Sequence, residues 1–228
     1  MTRYAIYFVP VEDIDLWQFG SAAVGYDSMA ATAVPFHKAA FYKRPEIADW
    51  TADPRRYGFH ATLKPPFALA DGTSIEGLEA AAAEFCTQRR RFSVERLDVT
   101  AIGGFLALVP AAPSSQLNRL AADCVTAFEA FRAPLSEADL ARRLKSPLSD
   151  NQRAHLEKWG YPYVFDEFRF HMTLTGRLPE AVRTQALETL RELYAPIAGP
   201  VHINAVSICE QPSRDANFNV RRSFTFGG

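Results

Sequence analysis

Two stretches decide the fold: YGFHATLKPPF at residues 57–67 and EFRFHMTLTG at residues 167–176, which share the pattern Phe-His-x-Thr-Leu. On an extended strand successive side chains alternate faces, so His60 and Thr62 point one way, and His171 and Thr173 likewise. Phe59, Ala61 and Leu63 then face the other side, toward a core, as do Phe170, Met172 and Leu174. A polar pair on one face and apolar neighbours on the other describe a strand that lines a wet cleft.

The neighbourhood of each motif repeats as well. A His-bearing strand, a helix and two strands are predicted at 57–66, 74–91, 92–102 and 105–109, and again at 161–175, 179–195, 201–209 and 218–226. Aromatic and β-branched residues predict a further strand at 3–10, followed by a helix over 11–24. Pro65 and Pro66 are expected to stop the first motif strand, since proline cannot continue a central ladder. Ser74 suits a helix N-cap, and Pro179 the first helical position. Residues 114–131 carry an amphipathic helix with Leu117, Leu120, Cys124, Phe128 and Phe131 on one face. The charged segment 135–159 reads as two short helices capped near Ser136 and Ser149 and stopped by Gly160. Residues 25–54 give no firm pattern.

These elements predict an α+β fold without a flexible linker. It forms one bilobal domain over 1–228, with two pseudo-twofold-related lobes. Each has an antiparallel sheet with helices outside, and a cleft runs between them. The lobe with the first motif spans about 57–132 and the lobe with the second about 160–228; the strand 3–10 completes one sheet.

Charge narrows the function. Lys and Arg number 25 against 26 Asp and Glu, a net −1. That balance disfavours a protein that wraps long nucleic acid, which usually carries a basic excess. Cys86, Cys124 and Cys209 form no CxxC pair, so neither a zinc ribbon nor a disulfide framework is written here. No apolar run reaches the roughly 18 residues of a membrane span. A reduced, cytoplasmic monomer is the expectation, with no cofactor.

If the two polar pairs face each other, they suit in-line displacement at a phosphodiester. An imidazole with an ordinary pKa near 6.5 can serve as base or acid at neutral pH. One histidine would take a proton from the attacking water or hydroxyl, and the other would give one to the leaving oxygen. Thr62 and Thr173 would donate hydrogen bonds to the non-bridging oxygens. Lys64, two residues beyond Thr62, is expected on the same face as a further positive charge. Tyr57 and Tyr163 flank the motifs and are candidate substrate contacts. One arginine of the pairs 142–143 or 221–222 suits a phosphate clamp, with Arg143 the candidate.

These motifs, with FGSAAVGYD at 19–27 and WGYPYV at 159–164, resemble the 2H phosphoesterase superfamily, named for two H-x-[ST] motifs. The resemblance runs from Arg3 to Phe226 and is greatest to an uncharacterised branch encoded among phosphonate-breakdown genes. It implies a bilobal fold with a central cleft, catalytic His60 and His171, and phosphate-binding Thr62 and Thr173. It also implies a small phosphorylated or cyclic-phosphate substrate, or an RNA end, and for this branch a cyclic ribose phosphate. The segment 135–159 lies outside the minimal core of that superfamily and could lid the cleft.

Two rivals remain at this level. A metal site would need three or four ligands, and neither HExxH nor closely spaced Cys and His residues occur. An RNA- or nucleotide-binding module without turnover would want exposed motif aromatics and a basic surface. Phe59 and Phe170 instead fall opposite the histidines.

Overall fold

The computed structural model describes residues 1–227. Its strands are β1 (Arg3–Phe8), β2 (Tyr26–Asp27), β3 (Thr32–Ala33), β4 (Ala61–Phe67), β5 (Phe92–Val94) and β6 (Leu97–Ile102). They continue as β7 (Phe105–Pro110), β8 (Met172–Thr173), β9 (Val201–Ile203), β10 (Ala205–Gln211) and β11 (Asn219–Thr225). The helices are α1 (Ile14–Val24), α2 (Ile47–Trp50), α3 (Ala52–Tyr57) and α4 (Ile75–Thr87). After them come α5 (Ser115–Ala127), α6 (Glu137–Arg143), α7 (Asp150–Trp159) and α8 (Glu180–Tyr194). Seven strands form one antiparallel sheet in the order β11-β10-β1-β4-β8-β7-β6. β5 pairs with β9 in a separate ribbon, which divides each of the continuous strands expected at 92–102 and 201–209 in two.

The two His-bearing strands, β4 and β8, meet inside this sheet, and the strands around them are crossed relative to the expected lobes. β6 and β7 follow the first motif in sequence but flank the second. β10 and β11 follow the second motif but lie with β1 beside the first. The lobe boundaries 57–132 and 160–228 therefore do not delimit the two halves of the sheet. A strand has only two edges, and those of β4 are taken by β1 and β8, so the β6–β7 hairpin pairs along the free edge of β8.

β1 and β10, inside the sheet, are buried nearly throughout. α1 covers Phe59, two residues before β4: Phe59 packs against Trp17 at 6.5 Å, and its ring fills the space that a Cβ on Gly20 would need. The helix signals act as expected. Ser74, Ser136 and Ser149 each accept a backbone hydrogen bond at a helix start, and Gly160 closes α7 with a left-handed φ of 72°.

Three local expectations fail. β4 runs through Pro65 and Pro66 to Phe67, because its ladder with β8 is a single pair at Ala61 and its ladder with β1 shifts register between Lys64 and Phe67, where the two prolines lie. The helices expected over 74–91 and 114–131 stop at Thr87 and Ala127, the latter followed by a 3₁₀ turn. The long strand expected over 161–175 shrinks to Met172–Thr173. Residues 161–171 are irregular apart from a 3₁₀ turn at Phe165–Glu167, and are tied to α7 by Gln152 on Glu167 at 2.9 Å and by Asn151 and His155 on Asp166 at 2.8 Å. No helix among the described residues is long and apolar enough to cross a membrane.

Candidate active site

β4 and β8 pair antiparallel with Ala61 opposite Met172. One residue to either side, the same register sets His60 opposite Thr173 and Thr62 opposite His171. The four polar side chains thus occupy the corners of a rectangle, with the histidines on one diagonal. Diagonal neighbours on a sheet lie about 7–8 Å apart, a span that accommodates a phosphate between two rings. Burial follows the alternation expected from sequence: His60, Thr62, His171 and Thr173 are part-exposed, while Ala61, Leu63, Met172 and Leu174 are buried.

Both imidazoles are held in one way. His60 Nδ1 donates to the Gly58 carbonyl at 3.0 Å, and His171 Nδ1 donates to the Arg169 carbonyl at 2.8 Å, each two residues upstream. A carbonyl can only accept, so Nδ1 carries the hydrogen in both rings and Nε2 is the atom free for chemistry. In His60 that Nε2 accepts from the Thr62 hydroxyl at 3.1 Å. Tyr7 stacks on His60 with centroids 3.7 Å apart. Burial lowers the His60 pKa from 6.5 to about 4; the Gly58 carbonyl opposes the shift and His171 adds to it. His60 is therefore neutral at pH 7.

Two hollows flank this rectangle. A cavity of about 330 Å³ contains His171 and Thr62 and is walled by Tyr161, Tyr163, Phe165 and Phe168. A second, of about 270 Å³, contains His60 and Thr173 together with Tyr57, Phe105, Asp53 and Arg177. Each pairs the histidine of one motif with the threonine of the other, as the strand register requires. Gln152 of α7 reaches the first cavity, so the segment 135–159 contributes to its wall. Phe165 holds a left-handed backbone with φ 54°, uncommon for a bulky side chain and a form of strain that clusters at binding sites.

Residues 62–219 match a family described as protein of unknown function (DUF1045). The chain belongs to the DUF1045 family. The match includes Thr62, His171 and Thr173, and His60 stands two residues before it. A protein of Janthinobacterium sp. (strain Marseille) named ribose 1,5-bisphosphate phosphokinase PhnN is 38% identical, over 100% of this chain and 51% of that protein. A protein of the same name from Laribacter hongkongensis (strain HLHK9) is 35% identical over 96% of this chain and 51% of its own length. The chain thus spans about half the length of these relatives. E. coli LigT, solved in complex with 3′-AMP, is 14% identical with a TM-score of 0.46, over 100% of this chain and 99% of that one.

The other candidate residues of this DUF1045 chain divide. Tyr57 lines the His60 hollow and stacks on Phe218 at 5.4 Å; Tyr163 lines the His171 cavity beside Tyr161. Lys64 is not in the cleft, contrary to expectation. Thr62 pairs with Tyr7 and Lys64 with Ile6, so the extra residue Leu63 makes a bulge that breaks the alternation. Lys64 is 1% exposed, its ammonium donating to Glu129 at 2.7 Å and to the Val125 carbonyl at 2.9 Å. Burial, opposed by Glu129, lowers its pKa. Burial would raise the Glu129 pKa, but hydrogen bonds from Arg132 and Lys64 prevail and lower it. Glu129 keeps Arg132 when Lys64 is replaced, and a buried ion pair is often matched by an apolar side chain. Lys64→Met should therefore change the unfolding free energy in urea by less than about 2 kcal/mol; a much larger loss would make the pair a principal support of the fold. Arg143 sits outside both hollows, with its guanidinium over the Tyr161 ring at 4.9 Å. Gly58, Tyr7 and Phe165 escaped the sequence reading, and of these only the glycine two residues before His60 offered a signal.

Proposed function

We propose that the chain is a phosphodiesterase of the 2H type that opens a cyclic phosphate without a metal ion. The observation that carries this reading is the register of β4 on β8, which sets each histidine across from the other motif's threonine, with Nδ1 of both rings tied to a backbone carbonyl and His60 Nε2 bonded to the Thr62 hydroxyl. Neutral His60 is the general base: its Nε2 takes a proton from water as the water oxygen attacks phosphorus. His171, protonated, gives its proton to the sugar oxygen as the P–O bond breaks. Thr62 and Thr173 turn their hydroxyls to the non-bridging oxygens, where charge gathers in the transition state.

The substrate best suited to this reading is a 1,2-cyclic phosphate of ribose 5-phosphate. Hydrolysis with cleavage at O2 leaves ribose 1,5-bisphosphate, the compound in the name of the two relatives. Phosphokinase activity is not assigned to this chain, which contains no Gly-x-x-x-x-Gly-Lys phosphate loop. Hydrolysis of this compound, followed by phosphorus NMR, tests the reading; no turnover of any cyclic phosphate by the wild-type chain would overturn it.

The profile of kcat/KM against pH gives a second test. A base that takes up a proton only near pH 4 keeps the acid limb near that value, well below the ordinary histidine range. An acid limb near 6.5 would remove His60 from the role of base.

A further inference from the structure

A third hollow, of about 260 Å³, adjoins the His171 cavity and has a different chemistry. Pro65 lines both, and the Arg143 guanidinium lies over the ring of Tyr161, which walls the cavity. Its cations are Arg3, Lys64, Arg132, Arg142, Arg143 and Arg214. Two carboxylates answer them. Glu129 is shared by Lys64 and Arg132, and Asp139 by Arg142 and Arg214. Arg3 is held by the side-chain oxygen of Gln211, a neutral group; among the described residues Arg143 pairs with no carboxylate, and its buried Nε has no hydrogen-bond partner.

Six cations drawn to one hollow in a chain of net charge −1 repel one another and are costly to desolvate unless an anion joins them. Burial lowers the pKa values of Arg3 and Arg143, and neighbouring arginines add to the shift, as crowding of like charge requires. Guanidinium forks match phosphate oxygens in pairs, which a carboxylate-poor arginine cluster leaves available. The fixed partners around the hollow set the fork positions in advance: Asp139 orients Arg214, and the stack on Tyr161 orients Arg143.

We infer that this arginine-lined hollow holds a second phosphate of the substrate, a phosphomonoester attached to the sugar whose cyclic diester lies between His60 and His171. The inference rests on the phosphodiesterase reading and deepens it. The hollow then selects sugars that already carry a terminal phosphate and anchors them through a group remote from the reacting bond. Binding energy from such a remote group is available to orient the diester.

Ribose 5-phosphate, titrated calorimetrically into the full chain, is the probe. It should bind to wild type and equally to the His60→Ala/His171→Ala double variant, whereas ribose should not bind. Arg143→Met should weaken it by about tenfold or more, the scale of one charge-assisted hydrogen bond, and Arg143→Lys by less. Unchanged affinity in Arg143→Met, or binding lost in the double histidine variant, would overturn the inference, and neither result depends on turnover. Kinetics separates the phosphate's source. Inorganic phosphate should compete with the 5-phosphorylated cyclic substrate and raise its KM. A change in kcat without competition would make the hollow an effector site for free phosphate and overturn the assignment to substrate.

Discussion

His60→Ala and His171→Ala are each expected to lower kcat/KM for a cyclic phosphate by about 10²–10⁴-fold, the range of a positioned proton-transfer group. The double variant should be far less impaired than the product of the two losses, because base and acid serve one transition state. Thermal unfolding separates chemistry from folding. His171 is part-exposed, so its removal should leave Tm almost unchanged. His60 stacks on Tyr7, and its loss should cost stability modestly at pH 7. The pH dependence adds a signature of its own. The folded-state pKa of His60 is about 4 against 6.5 for an unperturbed histidine. Between those values the unfolded chain binds the proton and the native chain does not, so stability falls as pH drops from about 6.5 toward 4. His60→Ala should remove that part of the slope. Either single variant with full activity would end the two-histidine mechanism.

Gly58→Ala should damage both the fold and the rate, although it lies outside the motif. Gly58 has φ 71° and ψ 179°, a region essentially reserved for glycine and costing other residues about 1–3 kcal/mol. A Cβ there would also lie 2.7 Å from the Ser28 side chain. Together these predict a loss of about 3 kcal/mol, or a fall in Tm of about 6–12 °C for a chain of this size. The same carbonyl accepts from His60 Nδ1, so a shifted backbone misaims the ring. Misplacement by about 1 Å can cost on the order of 10²-fold in rate. Gly72→Ala is the control: its φ is 79°, but nothing lies within 4 Å of the added carbon. It should lose about 1 kcal/mol through backbone strain alone and keep its kcat. Equal effects at the two positions would show that Gly58 has no special hold on His60.

Much of the local structure was legible because its causes are local. The helix N-caps at Ser74, Ser136 and Ser149, the Gly160 stop, and the alternation of His, apolar residue and Thr all follow from backbone chemistry within a few residues. Segment 161–171 misled for the same reason. YPYVFDEFRFH carries strand-like aromatics, yet Phe165 adopts a left-handed backbone, and Asp166 and Glu167 bond to side chains of α7. Those partners cannot be read from the segment's own residues.

The sequence by itself determined which side chains share a face: the period of two on an extended strand puts His60 with Thr62 and His171 with Thr173, whatever the rest of the chain does. It also determined that Phe59 and Phe170 point into hydrocarbon. Only the tertiary structure decided that the two motifs are direct neighbours in one sheet. It alone decided that each histidine faces the other's threonine, and that Lys64 leaves the cleft through a bulge at Leu63. Register and bulges are set by competition among strand edges far apart in the chain, and that competition is resolved by burial across the whole core rather than by any residue near the motifs.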